Sequence, residues 1–435
     1  MESFLRMKSL SVKKILVLAG QDVHRKLVET SKNMGIYTIV ADYFSDSPCK
    51  EIADESTMLS ILDIDGLVKF CKENKIDGIV NFCNDPASRV VQKVSDIMGY
   101  PNIGTQKQVY TFTDKTLFKK ECVKYGIDII NEYTEKDVED GLVEFPILIK
   151  PNDSRGSRGA TICESIDDFK DALATAKSNS NSGTVIMEKY MGGHQELSIT
   201  YVVINGEPHL ISVGDRHSGR REDNVDKILS CMIQPSWFID TYIKNVDGKV
   251  KAMIKGLGIE NAAVFMQGFV DGDTVRMFDP GYRFAGNEYE RAYYAATGVN
   301  PMESVITYAI TGKMEDFGGK YESSYDLNGK VAVQYMINGR PGKIGEFIGV
   351  EDVEKHEKVI YVGHKYKIGD VIENTGSTKH RIFDITFLVE RKKEAINEVV
   401  DFVNEHLHVL DENGEEMIVS KFDYRKYGHL YKWPE

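Results

Sequence analysis

The sequence predicts a multidomain protein of mixed α/β and α+β class: an open parallel α/β layer first, an α+β middle, and a small, mostly-β C-terminal part. Three observations carry this. Short apolar runs alternate with helix-like segments up to about Met98, which is the spacing of βαβ units. After a helix around Pro301–Thr311 the chain turns to several short strands with glycine turns, closed by one amphipathic helix. At 435 residues, it exceeds a single core and suits about two to four domains.

Residues 13–18 (KKILVL) form the first strand, ending in Ala19-Gly20 and followed by the helix-like QDVHRKLVETSKNMG. YTIVADY is the second strand; a helix follows near Ile64–Asn74, then the strand DGIVNF and a helix at about 86–98. Asp42 follows the glycine turn at about the distance expected of a dinucleotide fold's ribose ligand. The turn holds only Gly20, however, and no GxGxxG, which argues against dinucleotide binding. Open sheets bind ligands at strand ends, so Gly20, Gln21, Asp42 and Asn84 are the residues there that could meet one.

A formal net charge of −13 argues against a general nucleic-acid binder. ILVLAG is too short for a membrane span or a signal peptide and reads as a buried strand. Six cysteines are scattered without a CxxC pair, the pattern of core residues in a reducing compartment. The expected setting is the cytoplasm, with no nucleic acid and no membrane as partner.

TFTDKTLFKKECVKYGID reads as a helix capped by Thr113 or Asp114 and ended by Gly126. Lys115 then falls in the first turn, where the helix dipole disfavours a cation; a surface lysine or a phosphate ligand would each explain it. In FPILIKPNDSRGSRGATIC a strand ends at Lys150 and runs into a loop. Gly156 and Gly159 let that backbone curl around an anion, and Arg155 and Arg158 add charge. The lysine precedes the loop, so this is not a GxxxxGK[ST] phosphate loop. Helix 166–177, a polar linker, strand TVIMEKYM, Gly192-Gly193 and strand ELSITYVV follow.

VFMQGFVDGDTVRMFDPGYR reads as a hairpin around Asp271-Gly272-Asp273. With those three residues as the loop, Gln267 sits opposite Met277 and Asp279 is its diagonal neighbour on the same face, about 7–8 Å away. Two oxygen-bearing side chains at that separation can converge on a hard cation. A two-residue loop would put them on opposite faces.

Taken together, Lys115, Lys150 with its glycine loop, VIMEKYMGGHQELSI and QGF…MFDPGYRFAG resemble, in order and spacing, the ATP-grasp superfamily. The likeness is to the biotin carboxylase, carbamoyl-phosphate synthase and carboxylate–amine ligase branch. It implies an N-terminal pre-ATP-grasp α/β domain at 1–107, an ATP-grasp domain at 108–315 with a lid subdomain at about 130–187, and a β-rich C-terminal domain at 316–435. Nucleotide would lie between two α+β subdomains.

The resemblance also implies roles. Lys115 and Lys150 would contact ATP phosphates, with Ser154, Gly156 and Gly159 in the loop that closes over them. Glu188, with the backbone of Lys189 and Met191, would meet the adenine edge, and Glu196 the ribose. Gln267 and Asp279 fall on positions that hold Mg²⁺, for which Mn²⁺ can substitute. Arg283 matches the arginine that steadies the transferred phosphoryl group. The commoner acid-x-Asn-Pro-Arg pattern is Asp279-Pro280-Gly281-Tyr282-Arg283 here, so the Asn ligand is lost to Gly281 and a second metal is in doubt.

VGDRHSGRREDN gathers Arg216, His217, Arg220 and Arg221, which would hold an anionic substrate on the acceptor side, His217 with a share in proton transfer. Gly345 to Gly349 would complete the acceptor pocket. The expected activity is an ATP-grasp carbon–nitrogen ligase that forms ADP: a carboxylate becomes an acyl-phosphate and an amine captures it. A bicarbonate-phosphorylating carboxylase-type enzyme, a nucleotide-precursor ligase and a non-catalytic nucleotide binder are the alternatives. The expected partners are small-molecule carboxylate and amine substrates, with a homodimer as the candidate assembly.

Overall fold

A computed structural model describes residues 13–151, 159–180, 182–220, 227–287, 289–321, 324–374, 380–419 and 421–430. Strands β1 (Lys14–Leu18), β2 (Tyr37–Ala41), β3 (Glu55–Thr57) and β4 (Gly78–Val80) form a parallel sheet of order β3-β2-β1-β4. Strand β1 has no polar face, because Ile15 and Val17 enter one apolar cluster and Leu16 and Leu18 another. A parallel strand covered on both sides requires such an unbroken apolar run. Helices α1 (Arg25–Asn33), α2 (Ile64–Asn74) and α3 (Asp85–Met98) accompany the sheet, the last two capped by Asp63 and Asn84. The glycine turn is packed shut: Asp42 is buried and accepts the Gly20 N–H at 2.7 Å, and a Cβ on Gly20 would lie 2.8 Å from Ser47 Cβ.

Helix α4 (Lys115–Lys124) starts at Asp114, whose carboxylate accepts the Leu117 N–H at 3.0 Å, and it ends just before Gly126, which has φ +69°. Next comes a four-stranded antiparallel sheet of order β5-β8-β6-β7, from β5 (Glu132–Tyr133), β6 (Ile147–Pro151), β7 (Thr161–Cys163) and β8 (Val185–Lys189). Ile147, Ile149 and Met187 bury one of its faces beneath helix α5 (Phe169–Ser178). Strand alternation then turns Lys150 and Glu188 to the other face.

The largest sheet has nine strands. Its path is β13-β12-β9-β10-β11-β14-β18-β16, built from β9 (Glu196–Ile204), β10 (Glu207–Arg220), β11 (Lys227–Gln234), β12 (Ala262–Asp271), β13 (Thr274–Gly281), β14 (Lys330–Gly339), β16 (Val359–His364) and β18 (Arg381–Glu390); β20 (Ile418–Val419) pairs with β14. The β11–β14 pairing, Cys231↔Tyr335 to Gln234↔Ala332, carries this sheet across residue 315, so the C-terminal strands extend the middle sheet. One face is apolar, packed around Leu197, Ile199, Met266 and Met277 at one end and Ile233, Val333 and Ile385 with helix α6 (Lys393–His406) at the other. The opposite face meets the N-terminal layer through Val202, Ile211, Ala263 and Ala332.

Strands β15 (Gly342–Ile348), β17 (Val371–Ile372) and β19 (His408–Asp411) form a separate three-stranded sheet. Ile344 and Phe347 pack there against the α6 side, with Phe347 and Phe383 ring centroids 4.9 Å apart. The segment from Gly345 to Gly349 runs along β15 to a turn at Gly349, where φ is +74°.

Candidate active site

The β12–β13 hairpin departs from the expected geometry in two ways that cancel. Asp271 pairs with Thr274, so the turn has two residues rather than three, which alone would put Gln267 and Asp279 on opposite faces. The register then shifts by one residue: Gly268 pairs with Met277 and Gln267 with Asp279, leaving Phe278 extra. Such a bulge reverses side-chain parity beyond it. Gln267 and Asp279 end directly opposite one another, closer than the diagonal expected from sequence.

Four polar residues line up across this face. On β9 and β10, Glu196 pairs with Arg216, whose Nε–H donates to Glu196 Oε1 at 2.7 Å. The groups around Gln267 fix its amide orientation. Its oxygen accepts from Arg216 at 3.1 and 3.2 Å, and its nitrogen donates to Asp279 Oδ2 at 3.1 Å. The row ends at Lys115, whose ammonium lies 3.1 Å from Asp279 Oδ1.

The four-stranded sheet β5-β8-β6-β7 presents a second charged group. One Glu188 oxygen is bound by Lys150 and the other by Lys119, which also reaches Glu132 Oε1 at 2.5 Å. Burial opposes ionisation of Glu188, but the two ammoniums hold its carboxyl below the usual range. Burial pushes the Lys150 ammonium down; Glu188 opposes this, and the charges on Lys115 and Lys119 reinforce it. Three lysines from one helix and one strand thus lie within electrostatic reach of one another. Lys119 was not singled out from the sequence, although it follows Lys115 by four residues, one helical turn on the same face. The Glu188 carboxylate, expected at an adenine edge, is instead engaged by two lysines.

Between these groups lies an apolar patch of Ile130, Met191, Phe269 and Phe278. The two phenylalanine rings stack with centroids 5.0 Å apart. Phe269 follows Gln267 by two residues and shares its strand face, the one sequence signal that could have found it. The bulge that restores Asp279 also supplies the Phe278 ring. Lys189 donates its backbone N–H to Asn131 at 2.9 Å. Gly159 has φ +75°, and a Cβ there would lie 2.5 Å from Asn179 Cβ, so this end of the loop needs glycine. Ser154 and Gly156, with Arg155 and Arg158, lie outside the described residues.

Arg283 is clamped from the N-terminal layer. Its Nε and Nη2 donate to the two oxygens of Asp85 at 2.7 and 3.0 Å, and Nη1 donates to the Phe284 carbonyl at 2.9 Å. Burial works against its charge, but Asp85 more than compensates and raises the guanidinium further. Asp85 is the first residue of α3, one past Asn84.

The arginine-rich stretch is divided. Arg216 faces the polar row, whereas His217, one residue later, faces the opposite side and is 2% exposed. Its ring packs 5.2 Å from Phe422 and 4.4 Å from Tyr427, and burial pushes the imidazole down to about 3. That corrects the expected substrate role: a neutral histidine in a core neither binds an anion nor relays a proton in the cleft. Arg220 lies at the end of β10, but its side chain, like the whole of Arg221, is outside the described residues.

Among the described residues no group of three or more His, Cys, Asp and Glu is placed to hold a metal. Asp279 offers one hard oxygen donor, Gly281 contributes no side chain, and the Gln267 oxygen already accepts from Arg216 Nη1, with Nε–H shared between it and Glu196. This donor set fits one Mg²⁺ completed by a polyphosphate, since Mg²⁺ commonly takes one or two carboxylates plus substrate oxygens. It does not fit two.

The family model described as ATP-grasp domain matches residues 143–289. The formate-dependent phosphoribosylglycinamide formyltransferase of Prochlorococcus marinus (strain AS9601) is 25% identical over 273 residues, covering 59% of this chain and 67% of that protein. The structure of phosphoribosylglycinamide synthetase from Anaerococcus prevotii matches with TM-score 0.72 at 17% identity, over 92% of this chain and 100% of that one. An L-amino acid ligase from Bacillus licheniformis matches with TM-score 0.73 at 16% identity, over 92% and 99%. Residues 143–289 thus match the ATP-grasp domain family, and the chain as a whole shares the fold of these solved structures.

Proposed function

We propose that the protein is an ADP-forming carbon–nitrogen ligase: a small carboxylate attacks the γ-phosphoryl group of ATP, and an amine then displaces phosphate from the acyl-phosphate to give an amide. The observation that carries this is the convergence of Lys115, Lys119 and Lys150 above a face bearing Asp279, with an apolar patch beside them. Three clustered cations with one hard-ion ligand suit a triphosphate, and stacked rings suit a purine.

In this reading residues 108–315 hold the nucleotide, with a lid at about 130–187 whose inner face carries Lys150, paired with Glu188 just beyond it. Lys115 and Lys150 leave their carboxylate partners for phosphate oxygens. Ser154, Gly156 and Gly159 belong to the loop over the phosphates, and Glu196 lies towards the ribose. The backbone of 189–191 reads the adenine edge while Phe269 and Met191 floor the ring. Asp279 would hold one Mg²⁺, which would supply positive charge to offset that of the phosphates. Arg283, pre-oriented by Asp85, steadies the transferred group. The relatives' names support a carboxylate and an amine as substrates, one naming formate and phosphoribosylglycinamide, another L-amino acids. The test is ADP release with formate, bicarbonate and amino acids, alone and in pairs. Turnover that needs two organic substrates is expected; bicarbonate dependence, or ATP binding without turnover under every pairing, overturns the ligase reading.

A further inference from the structure

We infer that Arg216 does the work of a second divalent cation, making this a site with one metal ion and one fixed guanidinium. The inference rests on the nucleotide site proposed above and concerns how its charge is balanced.

Three observations on three strands point the same way. On β13, the position two residues after Asp279 is Gly281, which has no side chain to offer a cation. On β12, the Gln267 oxygen, the remaining neutral ligand, receives N–H groups of Arg216 at 3.1 and 3.2 Å. Nη1–H is directed at that oxygen and Nε–H is shared between it and Glu196, so a metal would have to displace a guanidinium to reach it. On β10, the guanidinium is held in place by Glu196 at 2.7 Å, so a positive charge already lies beside Gln267 and would repel a second ion.

The charge count agrees. Lys115 and Arg216 face Asp279 and Glu196 along one row, two cations against two carboxylates. A triphosphate arriving with one Mg²⁺ draws Lys115 away from Asp279, while Arg216 stays at the other end of the row, tethered by Glu196. A guanidinium is suited to this, being always charged and weakly hydrated, with a planar fork that matches phosphate oxygens. It also needs no recruitment from solution, so the phosphate-bound state would require only one ion per turnover.

The test counts metal directly. Wild-type protein saturated with β,γ-imido-ATP is titrated with Mn²⁺, and free Mn²⁺ is followed by electron paramagnetic resonance. One tight Mn²⁺ per chain is expected; two overturn the inference while leaving the nucleotide site standing. Failure of the analogue to bind at all overturns both readings. In the same assay Arg216→Gln should keep one Mn²⁺ and bind the analogue about tenfold more weakly, the scale of one lost charge-assisted contact. Arg216→Lys, which keeps charge but loses the fork, should lose less. Unchanged affinity in Arg216→Gln, or equal loss in both variants, would make Arg216 a structural partner of Glu196 and nothing more.

Discussion

Asp279 stands directly across from Gln267 on neighbouring strands, and it does so because Phe278 is left out of the pairing. A two-residue turn and a one-residue bulge each reverse the parity of the strand, so together they return both side chains to one face. Everything proposed for metal and phosphate depends on that cancellation.

If Asp279 is the metal ligand and Lys150 the phosphate ligand, either Asp279→Ala or Lys150→Ala should lower ADP release by at least about a hundredfold. Circular dichroism and melting should show the fold retained. Activity near wild type in either variant would remove the residue from the site.

Phe269→Ala removes the ring stacked on Phe278. Since it would contact the purine equally in the ground and transition states, KM for ATP should rise about tenfold with kcat little changed. A fall in kcat at constant KM would place Phe269 elsewhere. A melting curve is needed alongside, because truncating a buried aromatic costs about 3–5 kcal/mol.

Glu188 ties Lys150 and Lys119 together in a buried group. Removing its charge takes the carboxylate from Lys150 and leaves Lys119 only Glu132, so Glu188→Gln should cost roughly 3–5 kcal/mol of stability at neutral pH. Burial opposes the charge, yet the lysines hold the carboxyl below its ordinary range. The native state therefore binds the proton less readily than the unfolded chain. Its contribution is complete above the ordinary carboxylate pKa and is lost as pH falls through the lowered one. Urea melts across the acid range should be steeper with pH for wild type than for the variant; parallel curves would contradict the pairing.

His217 makes the opposite kind of statement about the arginine-rich stretch. Burial depresses its imidazole to about 3, so between about 6.5 and that value the unfolded chain takes up a proton that the native state refuses. Stability should rise with pH through this window and be fully present above it. His217→Phe, which keeps an aromatic ring against Phe422 and Tyr427, should flatten the dependence and leave turnover intact. A large loss of turnover with the fold preserved would return His217 to the cleft.

Much of this protein was legible in one dimension, and what was legible is local. The unbroken apolar run of β1 announced a strand buried on both faces, and Asp114 and Gly126 marked the ends of the helix carrying Lys115. The hairpin around Gly272 followed from composition over a few residues. What the sequence could not determine were relationships across strands and layers. Arg216 and His217 are neighbours in the chain, yet they face opposite sides because a strand alternates its side chains. Asp85 reaches Arg283 only because the N-terminal layer docks on the large sheet, and Lys119 meets Glu188 only because strand β8 comes up against α4. The bulge at Phe278 is the clearest case. Strand parity changes with a shift of one residue, no local pattern records that shift, and only pairing with β12 determines which face Asp279 occupies.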